Sequence, residues 1–208
     1  MTKAGIRKQI AALRPDFQTL EKLSAAVVEK FQTLELFKSA RSVGVYMPLP
    51  DEVNITSLFG FGSLGEFALP VNSTPLGRAN SPSEPPPLCG KSFYIPAFDK
   101  AAGSYRMARM TTELKKGRFG ILEPAFPAFA AADELDLIIV PGVAFDRSGG
   151  RVGRGGGFYD RLLPLYHATR IGICFDFQTL ETVPAEEHDV RIEWLVTESE
   201  ILKIAMNS

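Results

Sequence analysis

The sequence predicts an α/β protein, a three-layer α/β/α sandwich on a mostly parallel, Rossmann-like sheet. Two short unbroken apolar runs, Leu137–Val140 and Ile171–Phe175, read as interior parallel strands covered on both faces. Strand-like runs alternate with segments of helical period, the pattern of right-handed crossovers. A glycine-rich segment, Arg151–Arg161, lies between a strand and a helix-like stretch, on the rim where such sheets bind ligands.

Lys3–Leu13 reads as a helix, with Ile6, Ile10 and Leu13 at core spacing. Pro15 interrupts it, and Phe17–Phe37 carries a second helical pattern. Ser42–Met47 is an apolar strand ended by Pro48-Leu-Pro50, and a short helix is expected around Val53–Phe61. Glu66–Val71 reads as the next strand and Pro75–Gly90 as a Pro/Ser/Gly-rich mobile loop. Ser92–Ile95 and Arg106–Met110 suit a hairpin on one side of the sheet. Phe158–Tyr166 looks helical, and Glu193–Val196 reads as the last strand. Sequence repeats and heptads are absent.

A chain of 208 residues is expected to form one domain with a sizeable core. Its net charge of −1 gives no global field for nucleic acid or a membrane surface, and neither is expected as a partner. Cys89 and Cys174 sit in unlike contexts, so neither a disulfide framework nor a zinc site is expected. With no signal peptide or spanning run, a cytoplasmic protein is expected, a monomer or at most a weak dimer.

The segment Arg151-Val-Gly-Arg-Gly-Gly-Gly-Phe-Tyr-Asp-Arg161 carries the most chemistry. Gly153, Gly155, Gly156 and Gly157 let backbone N–H groups approach an anion without Cβ obstruction. Arg151, Arg154 and Arg161 add guanidinium groups that fork onto phosphate or carboxylate oxygens. Asp160 is out of place at an anion site unless a metal bridges it to the ligand. The commoner nucleotide motifs are excluded: Phe158 or Asp160 stands where a dinucleotide fingerprint needs its third glycine, and no Gly-Lys-Ser/Thr follows. An RGG-type tail or a plain structural turn are the bland alternatives.

Other constellations are more open. On a helix, Lys3, Arg7 and Arg14 point within roughly 40° of one another, either as a solvated basic face or as a finger over phosphates. Glu52 lies beyond a strand end, where it either accepts from the N–H groups of a heterocycle or serves as an acid at a helix N-terminus. Asp189, beside His188, is a candidate second magnesium carboxylate with Asp160, while a lone histidine is more often structural. Leu114–Pro124 is either a ligand loop or a connection.

Together these pieces resemble the 5-formyltetrahydrofolate cyclo-ligase (methenyltetrahydrofolate synthetase) family. They run in order through Lys3-x-x-Ile-Arg7, Tyr46, Glu52-Val53, Gly120-Ile-x-Glu-Pro124, Val140-Pro-Gly-Val-Ala-Phe-Asp146, Gly150–Arg161 and Glu187-His-Asp189. The resemblance implies ATP- and Mg²⁺-dependent closure of 5-formyltetrahydrofolate, with or without a polyglutamate tail, to 5,10-methenyltetrahydrofolate, ADP and phosphate. It assigns Lys3, Arg7, Arg151, Gly153, Gly155, Gly156, Gly157, Tyr159 and Arg161 to ATP. Folate falls to Tyr46, Glu52, Arg154, Phe158 and the three consecutive glycines, magnesium to Asp160 and Asp189, and catalysis to Arg154 and Asp160. It also raises the finger reading of Lys3 and Arg7. Two departures stand out: Asn54-Ile55 replaces the usual Asp-Thr, and Phe158 a common tyrosine. The first favours a diverged paralogue acting on another small anion; a non-catalytic ligand-binding module is the remaining alternative.

Overall fold

The structure is a computed structural model that describes residues 1–59, 90–117 and 120–205. The expected strand Glu66–Val71 and all of the Pro-rich loop except Gly90 lie outside the described residues.

Helix α1 (Lys3–Leu13) starts where the Thr2 hydroxyl accepts from the Gly5 N–H at 3.2 Å, and stops at the residue before Pro15. Asp16 caps α2 (Phe17–Gln32) in the same way, accepting from Thr19 N–H at 3.0 Å. The single helix expected over Phe17–Phe37 is two helices, with α3 spanning Glu35–Ser39. The break has a local cause: the Thr33 hydroxyl donates to the Lys30 carbonyl at 2.7 Å, closing the last turn, while Leu34 turns inward. The helix expected after the first strand is a 3₁₀ turn over Thr56–Phe59.

The strands are β1 (Ser42–Gly44), β2 (Ser92–Asp99) and β3 (Ser104–Arg109), then the short pair β4 (Leu114–Lys116) and β5 (Leu122–Pro124). They continue with β6 (Leu137–Val140), β7 (Ala144–Asp146) and β8 (Arg151–Val152). After α4 (Phe158–Leu162) come β9 (Thr169–Ile173), β10 (Thr179–Leu180), β11 (Trp194–Val196) and β12 (Ile201–Lys203). The helix expected over Phe158–Tyr166 is thus one α-turn followed by a 3₁₀ turn, because Pro164 offers no N–H to continue the ladder. Glu193–Val196 is not the last strand: Thr197 Oγ1 accepts from Ser199 and Glu200 N–H, folding a tight turn that returns β12 antiparallel to β11.

The main sheet has the order β12-β11-β9-β6-β1-β2-β3. Its five central strands are parallel, and β3 and β12 close the edges antiparallel. Both faces are covered, as the unbroken apolar runs require. Along β6, Leu137 and Ile139 face a core built with α2 and α3, including Val27, Val28 and Phe31. Ile138 and Val140 face the opposite core with Leu162, Leu163 and Tyr166. A smaller sheet, β10-β7-β8, stands beyond the carboxyl end of β6, and α1 lays Ile6 and Ile10 on it. Among the described residues no helix is long and apolar enough to cross a membrane.

The smaller sheet docks tightly. A Cβ added to Gly172 in β9 would stand 2.4 Å from Ile192 Cδ1 and 2.9 Å from the Phe145 ring. Gly172→Ala is therefore expected to cost about 1–3 kcal/mol as overpacking. A lower urea midpoint at unchanged slope is the signature, and an unchanged midpoint would show that the contact relaxes freely.

Candidate active site

The site is built where the small sheet meets the rim of the large one. The turn from β7 to β8 is organised by Asp146, which is buried and accepts from Ser148 N–H, Ser148 Oγ, Gly150 N–H and Val183 N–H. Burial works to raise its pKa, but these donors hold its carboxyl below the ordinary aspartate value. The turn delivers Arg151 on β8, and the chain then runs through Gly153–Gly157 into α4. Gly155 (φ +100°) and Gly157 (φ +59°) occupy left-handed conformations that a side chain would strain. Helix α1 crosses this loop, and Arg7 Nε donates to the Gly153 carbonyl at 2.7 Å.

These elements enclose a cavity of about 490 Å³, of the size that holds a small-molecule ligand. Lys3, Arg7, Tyr46, Glu52, Arg151, Gly153, Arg154, Gly155, Gly156, Gly157, Phe158, Tyr159, Asp160 and Asp189 all line it. Arg161 does not; its Nη2 reaches back to the Gly156 carbonyl at 2.7 Å and braces the glycine loop. Sequence reasoning missed other lining residues, among them Pro96, Tyr105 and Glu186. Tyr105 sits with its ring 4.5 Å from that of Phe158, and Phe158 lies 5.3 Å from Tyr159, so one wall is a run of aromatic faces. From the Leu114–Pro124 segment, Ile121 and Glu123 line the cavity, beside the pairing of β4 with β5.

In the same cavity, Arg154 is held by two neighbouring acids. Its Nε donates to Glu52 Oε1 at 3.1 Å, and its Nη2 donates to Asp51 Oδ1. Burial pushes the Glu52 carboxyl above its ordinary value, against the Leu49 amide and Arg154, which favour the ionised form. Tyr159 and Tyr46 are likewise raised, burial first and the nearby Glu52 charge second. Tyr46 donates its hydroxyl to the Val53 carbonyl at 2.7 Å, which ties down the chain at the residue after Glu52.

The two carboxylates expected to bind magnesium are each tied to a cation. Asp160 Oδ1 accepts from Arg151 Nη2 at 2.6 Å, and Arg151 is almost wholly buried. Asp189 takes Lys3 Nζ on both oxygens, at 2.8 and 2.6 Å, and its Oδ2 also accepts from Glu186 N–H. Burial opposes this ionisation, but the Lys3 hydrogen bond prevails and lowers the Asp189 pKa. Among the described residues no group of three or more His, Cys, Asp or Glu could hold a metal by itself. The donor set therefore fits an ion held largely by ligand oxygens, with Asp160 the carboxylate less occupied by protein partners.

Asn54 turns away from the cavity. Its Oδ1 accepts from Thr56 N–H at 3.2 Å and Thr56 Oγ1 at 2.7 Å, and its Nδ2 donates to Glu21. Ile55 is fully buried. The Asn54-Ile55 departure therefore serves the 3₁₀ turn and core, and gives no support to a changed ligand.

Fold and site define an α/β protein with a basic, glycine-lined cavity at the carboxyl edge of a parallel sheet. Residues 88–198 match the model of the 5-formyltetrahydrofolate cyclo-ligase family. The 5-formyltetrahydrofolate cyclo-ligase of Mycolicibacterium smegmatis is 35% identical over 164 residues, covering 76% of this chain and 74% of that protein. A probable 5-formyltetrahydrofolate cyclo-ligase of Caenorhabditis elegans is 26% identical over 198 residues, covering 88% and 84%. The solution structure of Aquifex aeolicus 5,10-methenyltetrahydrofolate synthetase superposes with a TM-score of 0.77 at 28% identity, covering 100% of this chain and 95% of that one. The chain belongs to the 5-formyltetrahydrofolate cyclo-ligase family.

Arg154→Gln withdraws a positive charge and a hydrogen bond from Glu52, so the Glu52 pKa is expected to rise further above 4.5. The sign for folding follows: a carboxyl raised in the folded state favours folding below its unfolded pKa, and that contribution is lost as pH rises through the folded pKa. A ¹³C-carboxyl NMR titration of Glu52 in both proteins checks the shift; a downward move would contradict the arrangement.

Proposed function

We propose that this protein closes 5-formyltetrahydrofolate to 5,10-methenyltetrahydrofolate in an ATP- and Mg²⁺-dependent reaction, releasing ADP and phosphate. The supporting observation is that one cavity joins an aromatic wall and a buried carboxylate to a rim of cationic side chains and glycine backbone. The first pair suits a flat heterocycle that bears N–H groups, with Glu52 as acceptor and Tyr105 and Phe158 as stacking faces. The rim suits phosphates, through Lys3, Arg7, Arg151 and the Gly153–Gly157 backbone.

The reaction asks for positioning and charge neutralisation more than for a protein nucleophile. The formyl oxygen attacks the γ-phosphorus and the bond to the ADP oxygen breaks. N10 then attacks the activated carbon and loses its proton, and the C–O bond breaks to release phosphate. Arg154 is in this reading the catalytic cation, set beside Glu52 where charge develops on the formyl oxygen. Lys3 and Arg7, carried on α1, hold phosphate oxygens. Asp160 would hold Mg²⁺ together with those oxygens, and the ion would supply neutralisation of the transferring group. Asp189, expected as a second metal carboxylate, has both oxygens on Lys3, so its role here is to aim that lysine.

Purified protein is expected to convert 5-formyltetrahydrofolate into a near-ultraviolet-absorbing product only when ATP and Mg²⁺ are both present. Folded protein without conversion would refute the reading. Asp160→Asn is the informative variant, because an amide oxygen can still accept from buried Arg151 whereas alanine would leave that cation unpaired. It is expected to stay folded and lose about 10²-fold or more in kcat through lost charge neutralisation. Full activity in Asp160→Asn would overturn the metal assignment.

A further inference from the structure

We propose that Asp51 is a positioning residue for Arg154, an inference that rests on the proposed cyclisation. The Asp51 carboxylate reaches two guanidinium groups at once: Oδ1 accepts from Arg154 Nη2, and Oδ2 accepts from Arg14 Nη2 at 2.8 Å. Glu52 accepts the neighbouring Nε of Arg154 at 3.1 Å. Nε and Nη2 form one edge of the planar guanidinium. One acceptor would fix a point and leave the plane free to swing, whereas acceptors on both nitrogens fix the plane itself. Such an orienting clamp matters because the Arg154 side chain is 45% exposed and follows a glycine, so backbone and packing alone constrain it weakly.

Asp51 is well placed to hold that edge. Its side chain is only 19% exposed, and Arg154 is raised above the ordinary arginine pKa despite burial, through Asp51 and Glu52. Asp51 and Arg154, with Arg7 and Arg14, also line a smaller cleft of about 150 Å³ that shares Arg7, Gly142 and Arg154 with the main cavity. Arg154 thus stands in the partition between the two spaces, and the Asp51 carboxylate sets its angle from the outer side. Through Arg14 the same carboxylate joins α1 to this clamp, so the helix carrying Lys3 and Arg7 and the loop carrying Arg154 share one anchor.

The test is a double-mutant cycle on kcat/KM for 5-formyltetrahydrofolate, with thermal melting of every variant. Asp51→Ala is expected to lower kcat/KM by about tenfold or more, the loss of a charged hydrogen bond expressed as a rate. In an Arg154→Ala background the same change is expected to have no further effect, because Asp51 acts through Arg154. Asp51→Asn keeps an acceptor oxygen and is expected to recover part of the loss. Additive losses in the cycle, or full activity in Asp51→Ala, would overturn the proposal. A second readout needs no substrate: the Arg154 Nε–H resonance is expected to exchange faster in Asp51→Ala than in the unaltered protein. An unchanged exchange rate would also overturn it. If the unaltered protein fails to cyclise the folate while the resonance responds as expected, the functional reading falls and the positioning role stands.

Discussion

The site depends on one buried carboxylate that touches no ligand. Asp146 gathers four donors from Ser148, Gly150 and Val183, and so ties the turn between β7 and β8 to the segment that follows β10. Without that knot, β8 would have no fixed start. Arg151 would lose its register against Asp160, and the glycine loop would have no defined origin. A Cβ at Gly150 would lie 2.5 Å from Asp146 Oδ2, so the carboxylate also dictates the residue that begins the motif. A packed hydrogen-bond knot, rather than the loop's own chemistry, makes the loop a site.

Around that knot, acids pair with bases: Asp189 and Glu186 with Lys3, Asp160 with Arg151, Glu52 and Asp51 with Arg154. Each basic group thereby stays charged and oriented in a partly buried place where an isolated charge would be costly. The pairing also gives Lys3, Arg151 and Arg154 a carboxylate partner, while Arg7 rests on the Gly153 carbonyl. In the proposed reaction an incoming phosphate would compete with a protein carboxylate instead of with water, which would favour ligands of higher charge over singly charged anions.

Much of this was legible in the sequence because it rests on local rules. The bounds of α1 follow from apolar spacing and Pro15, and β6 from a four-residue apolar run with no polar interruption. The glycine segment announced itself by a composition that no packed core needs. What could not be read were relations between distant groups. Asp51 is a single acid in a loop, with no period to mark it, and Asp189 became a partner of Lys3 only through the docking of α1. The split between α2 and α3 escaped because Leu34 and Phe37 keep the apolar rhythm across the break, and only the Thr33 hydroxyl ends the helix. Strand β12 escaped because Ile201-Leu-Lys203 is short and carries little alternation.

The bond between Lys3 and Asp189 spans 186 positions of the chain. Closing so long a loop is entropically unfavourable, so this contact belongs to the final stage of assembly. The corner of the cavity that holds Lys3 is then expected to form late.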